Sequence, residues 1–439
     1  MKITVSEVMT FVKENDVKFI RLAFCDMFGN LKNVSIMPEE LPRAFETGIS
    51  FDASAVKGFL NAEESDLFLV PDPSTLSILP WRPSHGRVIR LFCDICRPGG
   101  RPFEGDMRQF LRRAAEQAQK LGYRPSIGSE CEFYLFQTDE NGDPTKRPHD
   151  HAGYCDVAPL DKGENVRREI CLTLEEMGLQ PESSHHEQGP GQNEIAFRYS
   201  DAVTAADNLV TFKNVVKSVA SRNGLYASFL PKPLPEVSGS GLHVNLSLFR
   251  EGKNIFRSGR EEHCPEAESF LMGIFLKVRE MTAFLNPLTN SYRRFGVCEA
   301  PRYLTWSHQN RSQLIRIPAA SGEYSRMELR SPDPACNPYL AFGLLILAGL
   351  SGIEEGAKLC PPTNRNLFTD PPVSGEGIVS LPGSLSEALS LAEKSEFIRS
   401  VLPEEPLRKF LAVKREECEA EKKWGDPLLY EDSVWFPVV

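Results

Sequence analysis

Positive charge is the scarcer sign in this 439-residue chain: 50 Lys and Arg stand against 60 Asp and Glu, for a net charge of −10. Such a balance repels phosphate backbones and anionic lipid surfaces, which excludes nucleic acid as an expected partner. Long apolar runs are also missing. The most apolar stretch, Tyr339 to Ile353, is too short and too rich in glycine to cross a bilayer and reads as a buried helix, so no membrane partner is expected. The opening MKITVSEVMTF lacks both the apolar core and the small-residue cleavage site of a secretory signal, which points to a cytoplasmic location. Eleven cysteines form an odd number without a framework and suit reduced thiols. Cys93-Asp-Ile-Cys96 has redox or half-zinc spacing, but it lies in the strand-like run RVIRLFCDIC with no second pair, and reads as core thiols. Neither a fixed-period repeat nor a low-complexity segment occurs.

What is present is an ordinary globular composition, 41% hydrophobic, on a chain longer than one core usually supports. Residues 1–102 mix short strands, Val17 to Phe24 and Arg87 to Ile95, with proline-punctuated loops. Arg97-Pro-Gly-Gly-Arg-Pro102 interrupts every periodicity and marks the expected boundary with a second domain, 103–439. There, helical patterns run from Met107 to Leu121, Asn165 to Met177 and Ser269 to Leu285, each ended by Gly or Asn-Pro. Short strand candidates lie between them.

Those strands carry the chemistry, because residues two apart in a strand share a face. Ser129-Glu-Cys-Glu-Phe133 puts Glu130 and Glu132 together, Gly241-Leu-His-Val-Asn-Leu-Ser247 does so for His243, Asn245 and Ser247, and Arg326-Met-Glu-Leu-Arg330 for two arginines and Glu328. A fourth strand begins at Glu194, within PESSHHEQGPGQNEIAFRY, where three glutamates and two histidines surround a glycine-proline turn. A solvated face favours Lys, Thr and Ser, whereas these faces offer acids, histidine and arginine. Carboxylates crowded around an imidazole repel one another unless cations sit between them. Oxygen-rich sites with one imidazole suit Mg²⁺ or Mn²⁺ better than zinc.

With those strands goes a long series of ordered motifs: VKFIRLAFCDMFGNLKN, FDASAVKGF, EESDLFLVPDPSTLSILPW, GSECEFYLF, GSGLHVNLSL, NPLTNSYRRF, EAPRYLTWSHQNRSQLIRIP and RMELRSPDPACNPYLAF. Over nearly its whole length the sequence resembles the class I glutamine synthetases. The resemblance implies an α+β architecture, with an N-terminal β-grasp domain and a catalytic domain whose curved antiparallel sheet forms a metal-lined funnel. It also implies a dodecamer of two hexameric rings with active sites between neighbouring subunits. The substrates implied are glutamate, ammonium and ATP, with two or more Mg²⁺ or Mn²⁺ ions.

Carried over by motif, the metal residues would be Glu132, Glu187 and Glu194 for one ion and Glu130, His243 and Glu328 for the other. ATP would phosphorylate the γ-carboxylate of glutamate and ammonia would then displace the phosphate. Arg311, Arg316 and Arg330 match phosphate and γ-carboxylate contacts, and Arg294 the α-carboxylate clamp beside Gly239. Glu182, Tyr199, Ser247 and Arg326 match nucleotide contacts. Asp52, Tyr154 and Glu299 match the negative pocket that takes ammonium, with Glu299 on the closing loop RRFGVCEAP. Asp52 also fits a simple helix N-cap, and His185 and His186 read as satisfied structural histidines.

The sequence departs from the family pattern in several places. Ala53 and Ala55 replace Gly and Ser, Ser238 replaces Asn, Asn245 replaces His, and the loop from Arg294 to Glu299 is one residue short. Phe368 stands where adenylylated relatives carry tyrosine, Asn61 stands where some relatives carry an arginine, and the tail KKWGDPLLYEDSVWFPVV does not follow the usual ending. Beside ammonium, an organic amine remains open as acceptor, and so does a catalytically silent structural relative.

Overall fold

In the computed structural model, residues 3–82, 85–256, 264–373 and 375–439 are described. Near the N-terminus, a helix at Val5–Glu14 is held by a reciprocal capping box between Thr4 and Glu7. A six-stranded mixed sheet follows, in the order Leu31–Ile36, Val17–Cys25, Arg87–Cys96, Asp66–Pro71, Ile49–Asp52, with Ser77–Ile78 beside the central strand. The first and last long strands run parallel, so the chain must cross over between them, and the short helix Leu41–Glu46 packs on the Asp66–Pro71 strand in that crossover. This is the β-grasp arrangement. Cys93 and Cys96 sit three apart on one strand, hence on opposite faces, and no cysteine of the chain forms a disulfide.

The turn at Arg97–Pro102 leads into an eleven-stranded sheet, largely antiparallel and curled into a half-barrel. Its backbone is the 16-residue strand Tyr123–Thr138, flanked by Leu242–Arg250 on one side and Gln192–Phe197 on the other. Beyond these lie Met327–Leu329, Ile315–Ile317 and Trp306–His308 on one edge and Pro181–His186 on the other. Alternation divides the sheet cleanly: Cys131, Phe133, Ile195, Leu242, Val244, Leu246, Met327 and Leu329 are all fully buried on the back. Helices cover that back. Pro338–Glu354 is buried on nearly all sides between Pro265–Leu285 and Met107–Lys120, and Ala202–Arg222 lies against the long strand. Among the described residues, no helix is long and apolar enough to cross a membrane.

The helices expected at Met107, Asn165 and Tyr339 appear within a residue at each end. The one expected from Ser269 starts four residues earlier, at Pro265, because proline at the first helical position needs no hydrogen-bond acceptor and is already set to the helical φ.

Two contacts fasten the sheets together. Arg108 donates to Asp72 and Asp94 from the first sheet region and to Asp207 on the Ala202–Arg222 helix, each at 2.9–3.0 Å. Gly29 (φ +85°) lies so close to Asn337 that a Cβ there would meet its Cα at 2.8 Å, and Asn337 donates its amide to the carbonyls of Asp26 and Met27.

Candidate active site

Strand pairing sets the site. Glu130 lies directly opposite His243, Glu132 opposite Glu194, Glu194 opposite His185, and Glu328 opposite both Asn245 and Arg316. One band across six strands therefore points acids, imidazoles and guanidinium groups into a cavity of about 580 Å³. The wall includes Glu130, Glu132, Glu187, Glu194, His243, Arg294, Glu299, Arg311, Arg316, Arg326 and Arg330, together with Tyr154 and Gly239.

A smaller cleft opens beside it and shares Glu130, Ala196 and Arg326; Glu182, Tyr199, Ser247 and Tyr324 line the rest. The residues expected at nucleotide thus fall together, one compartment away from those expected at glutamate. Tyr324, 63% exposed, has its ring edge toward Tyr199 and was not marked by any motif.

Each carboxylate is held differently. Glu132 accepts from Gln192 Nε2 at 2.9 Å and Gly241 N at 2.8 Å. Glu130 accepts from Asn245 Nδ2 at 3.0 Å and lies 3.3 Å from His243 Nδ1. Glu328 is pinned by Arg316 Nη1 at 2.6 Å and Arg330 Nη1 at 2.8 Å, one on each oxygen. Arg330 extends Nη2 to the carbonyl of Glu299, 3.3 Å away. His185 reaches Glu187 at 2.8 Å, whereas His186 is wholly buried between Asp150 and the Glu187 carbonyl. His186 is structural, as expected, while His185 stands among the site's donors.

Burial and mutual repulsion split the acids. Burial, joined by the charges of Glu132, Glu130, Glu187 and Glu328, pushes the Glu194 carboxyl well above the usual range. Burial raises Glu132 as well, with the Glu187 charge adding to it. Burial acts upward on Glu130 too, but His243, Asn245 and Arg326 outweigh it and hold the group down at about 2. For Glu328, Arg330 and His243 likewise overcome burial and lower it. Acids that cannot all ionise in a protein-only site mark a deficit of positive charge.

Two groups place donor atoms within 4.8 Å of one another: Glu130, Glu194 and His243, and His185, Glu187 and Glu194. They share Glu194, so the donor set fits two neighbouring cations. A third such group, Asp150, Asp161 and His186, is already satisfied, since Asp161 is paired with Arg167 at 2.6 Å and His186 with Asp150 at 2.9 Å.

Arg294 is almost wholly buried and donates to the carbonyls of Arg330, Ser331 and Pro332. Glycines line its neighbourhood: a Cβ on Gly241 would come within 2.6 Å of its Nη2, on a guanidinium that the three carbonyls hold in place, and a Cβ on Gly239 would meet the Pro231 carbonyl oxygen at 2.3 Å. Asp52 does not join the cavity of its own chain. It is exposed and caps the turn Ala53–Ala55, accepting from Ser54 N at 2.9 Å and Ser54 Oγ at 2.6 Å.

Matches to known proteins follow the same division. Residues 16–98 match the family model for the glutamine synthetase β-grasp domain, and 104–428 that for the glutamine synthetase catalytic domain. The chain belongs to the glutamine synthetase family. It is 48% identical over 421 residues to the glutamine synthetase of Clostridium saccharobutylicum, covering 95% of each chain. It is also 48% identical over 424 residues to that of Methanosarcina mazei, again covering 95% of each. Among solved structures, one described as a GmaS/ADP complex superposes with a TM-score of 0.87 at 30% identity, over 97% of this chain and 98% of that one. The glutamine synthetase of Plasmodium falciparum superposes at 0.85 with 26% identity, over 99% and 100%.

Proposed function

We propose that this glutamine synthetase-family enzyme joins ammonia to the γ-carboxylate of glutamate, with ATP converted to ADP and phosphate through a γ-glutamyl phosphate. The observation that carries the reading is the gathering of Glu130, Glu132, Glu187 and Glu194 with Arg311, Arg316 and Arg330 around one cavity. Phosphoryl transfer needs positioning and charge neutralisation rather than covalent help, and this wall offers both.

Arg294 orients glutamate by its α-carboxylate beside Gly239. Glu182, Tyr199, Ser247 and Arg326 hold the nucleotide in the adjoining cleft. Arg311, Arg316 and Arg330 steady the phosphoryl oxygens and the γ-carboxylate, and the Nε groups of Arg316 and Arg330, buried without a hydrogen-bond partner among the described residues, fit a wall built for added acceptors. Glu132, Glu187 and Glu194 would hold one divalent cation, Mg²⁺ or Mn²⁺, and Glu130, His243 and Glu328 a second, which would neutralise developing charge. Ammonium gives its proton to a carboxylate of the pocket formed by Tyr154, Glu299 and Asp52 of a neighbouring copy, and the neutral ammonia is left to attack. The loop carrying Glu299 excludes water from the acyl phosphate.

The same reading extends to the whole molecule. Residues 1–102 and 103–439 are its two domains, twelve copies assemble as two hexameric rings, and the enzyme works in the cytoplasm, where eleven unpaired cysteines stay reduced.

The test is an acceptor screen: phosphate release from ATP with glutamate and Mg²⁺, adding ammonium or one of several organic amines. Ammonium-dependent release is expected. Dependence on one amine alone would transfer the enzyme to the γ-glutamyl-amine ligases, and silence with every acceptor would leave a structural relative.

Arg330 gives a sharper check. Lysine keeps the charge but cannot hold Glu328 and the Glu299 carbonyl at once. Arg330→Lys is expected to lower kcat by about a hundredfold or more while nucleotide Kd changes only a few-fold, by comparison of steady-state rates with direct ADP binding. A Kd change as large as the kcat change would remove Arg330 from the phosphoryl group.

A further inference from the structure

The tail that departs from the family ending does not trail away. The helix Glu404–Trp424 stops at Gly425, which is left-handed (φ +84°), and Asp426 caps a new turn that leads into Glu431–Trp435. The chain then packs back onto its own catalytic sheet. Phe436 sits edge-on to Phe136 and Tyr226, 5.2 Å from each ring centre, and Phe229 N donates to the Val439 carbonyl at 2.9 Å.

Within this tail Glu431 is only 2% exposed, although it is a carboxylate. Burying such a group is costly unless it is fully engaged. Its Oε1 accepts from Arg293 Nε at 2.7 Å and its Oε2 from Asn290 Nδ2 at 2.8 Å. Asn290, itself wholly buried, closes a two-point clamp on the backbone of Lys232: its Oδ1 accepts from Lys232 N at 2.7 Å and its Nδ2 donates to Lys232 O at 3.0 Å.

Those partners stand at the roots of two site loops. Lys232 opens the segment that ends in Gly239 and Gly241, where Ser240 N returns to Pro231 O at 2.9 Å. Arg293 immediately precedes Arg294. The two segments press on each other, since a Cβ on Gly239 would lie 3.2 Å from Arg294 Cγ and one on Gly241 2.6 Å from Arg294 Nη2.

We propose that Glu431 is a positioning residue for the glutamate pocket: through Asn290 and Arg293 it fixes the spacing between the Gly239 segment and Arg294. The proposal rests on the assignment of that pocket to glutamate. Among the described residues, the Glu431 side chain hydrogen-bonds only to Asn290 and Arg293, neither in the nucleotide cleft, so its effect is expected on one substrate.

The test uses the full-length enzyme. Glu431→Ala is expected to raise the KM for glutamate about tenfold, the loss of roughly one good hydrogen bond's worth of alignment, while KM for ATP and kcat at saturating glutamate stay within about twofold. Glu431→Gln, which keeps the volume and one acceptor, should recover part of the loss and covers the case in which the alanine variant does not fold. Phe436→Leu loosens the tail without touching Glu431; it should lower the Tm and leave the glutamate KM unchanged. A parallel rise in both KM values, an unchanged glutamate KM in Glu431→Ala or Glu431→Gln, or an equal glutamate effect in Phe436→Leu would overturn the proposal. A wild-type enzyme that releases no phosphate in response to glutamate would overturn the pocket assignment first and the proposal with it. A responsive wild type with an unaffected Glu431 variant overturns the proposal alone.

Discussion

Replacing Glu194 by glutamine is expected to abolish turnover and yet leave the metal-free protein as stable as the wild type or more so. Glu194 sits in both donor groups, and burial and four neighbouring acids hold its carboxyl well above the usual range. Its ionised form therefore costs stability when no cation is present. The sign follows from the raised value: the penalty is absent below about pH 4, where the carboxyl is protonated folded or unfolded, and grows as pH rises toward the folded-state pKa. The Tm advantage of Glu194→Gln in chelator should be largest at high pH and vanish near pH 4. Glu328→Ala is the counterpart. It also abolishes turnover, but it strips Arg316 and Arg330 of their shared carboxylate in a site where Glu328 and Arg330 are nearly inaccessible. A loss of about 3–5 kcal/mol is expected by denaturant unfolding. Equal melting behaviour of the two variants in chelator would contradict this division of the acids.

Mixed assemblies should recover activity from two dead chains. Asp52 lies outside the cavity of its own chain, tied to Ser54, whereas the acids lie on the catalytic sheet. Head-to-tail contacts that close a ring would bring Asp52 to the next copy's site. Asp52→Ala and Glu194→Gln chains, refolded or co-expressed in equal amounts, should then give roughly one intact site in four. Activity near a quarter of wild type is the expected result. If rings shown by mass spectrometry to be mixed are no more active than either variant alone, the two residues serve one site within one chain.

Period-two alternation was enough to read the inner face of the sheet. Glu130 with Glu132, His243 with Asn245, and Arg326 with Glu328 and Arg330 alternate with apolar residues that are fully buried. What alternation could not convey is which strand lies beside which, and so which acid meets which base. The pairing of Glu328 with Arg316, far closer than its distance to His243, comes from the register of three strands separated in sequence. The roles of Gln192 and Asn245 as holders of Glu132 and Glu130 were visible only as polar residues two positions from Glu194 and His243. The tail gave no signal of its docking, because its aromatic residues follow neither period and find their partners in strands some two hundred to three hundred residues earlier.

Arg330 holds Glu328 with one nitrogen and the carbonyl of Glu299 with another. A single rigid guanidinium thus joins the Glu328 carboxylate to the loop that carries Glu299, which on the function proposed above are the phosphoryl and acceptor sides of the site. Any occupant that draws Arg330 toward one of them changes the free energy of the other. Such coupling is reciprocal by thermodynamic necessity: the factor by which nucleotide alters affinity for ammonium equals the factor by which ammonium alters affinity for nucleotide. Order of addition would then change the path to the filled site and leave its final energy the same.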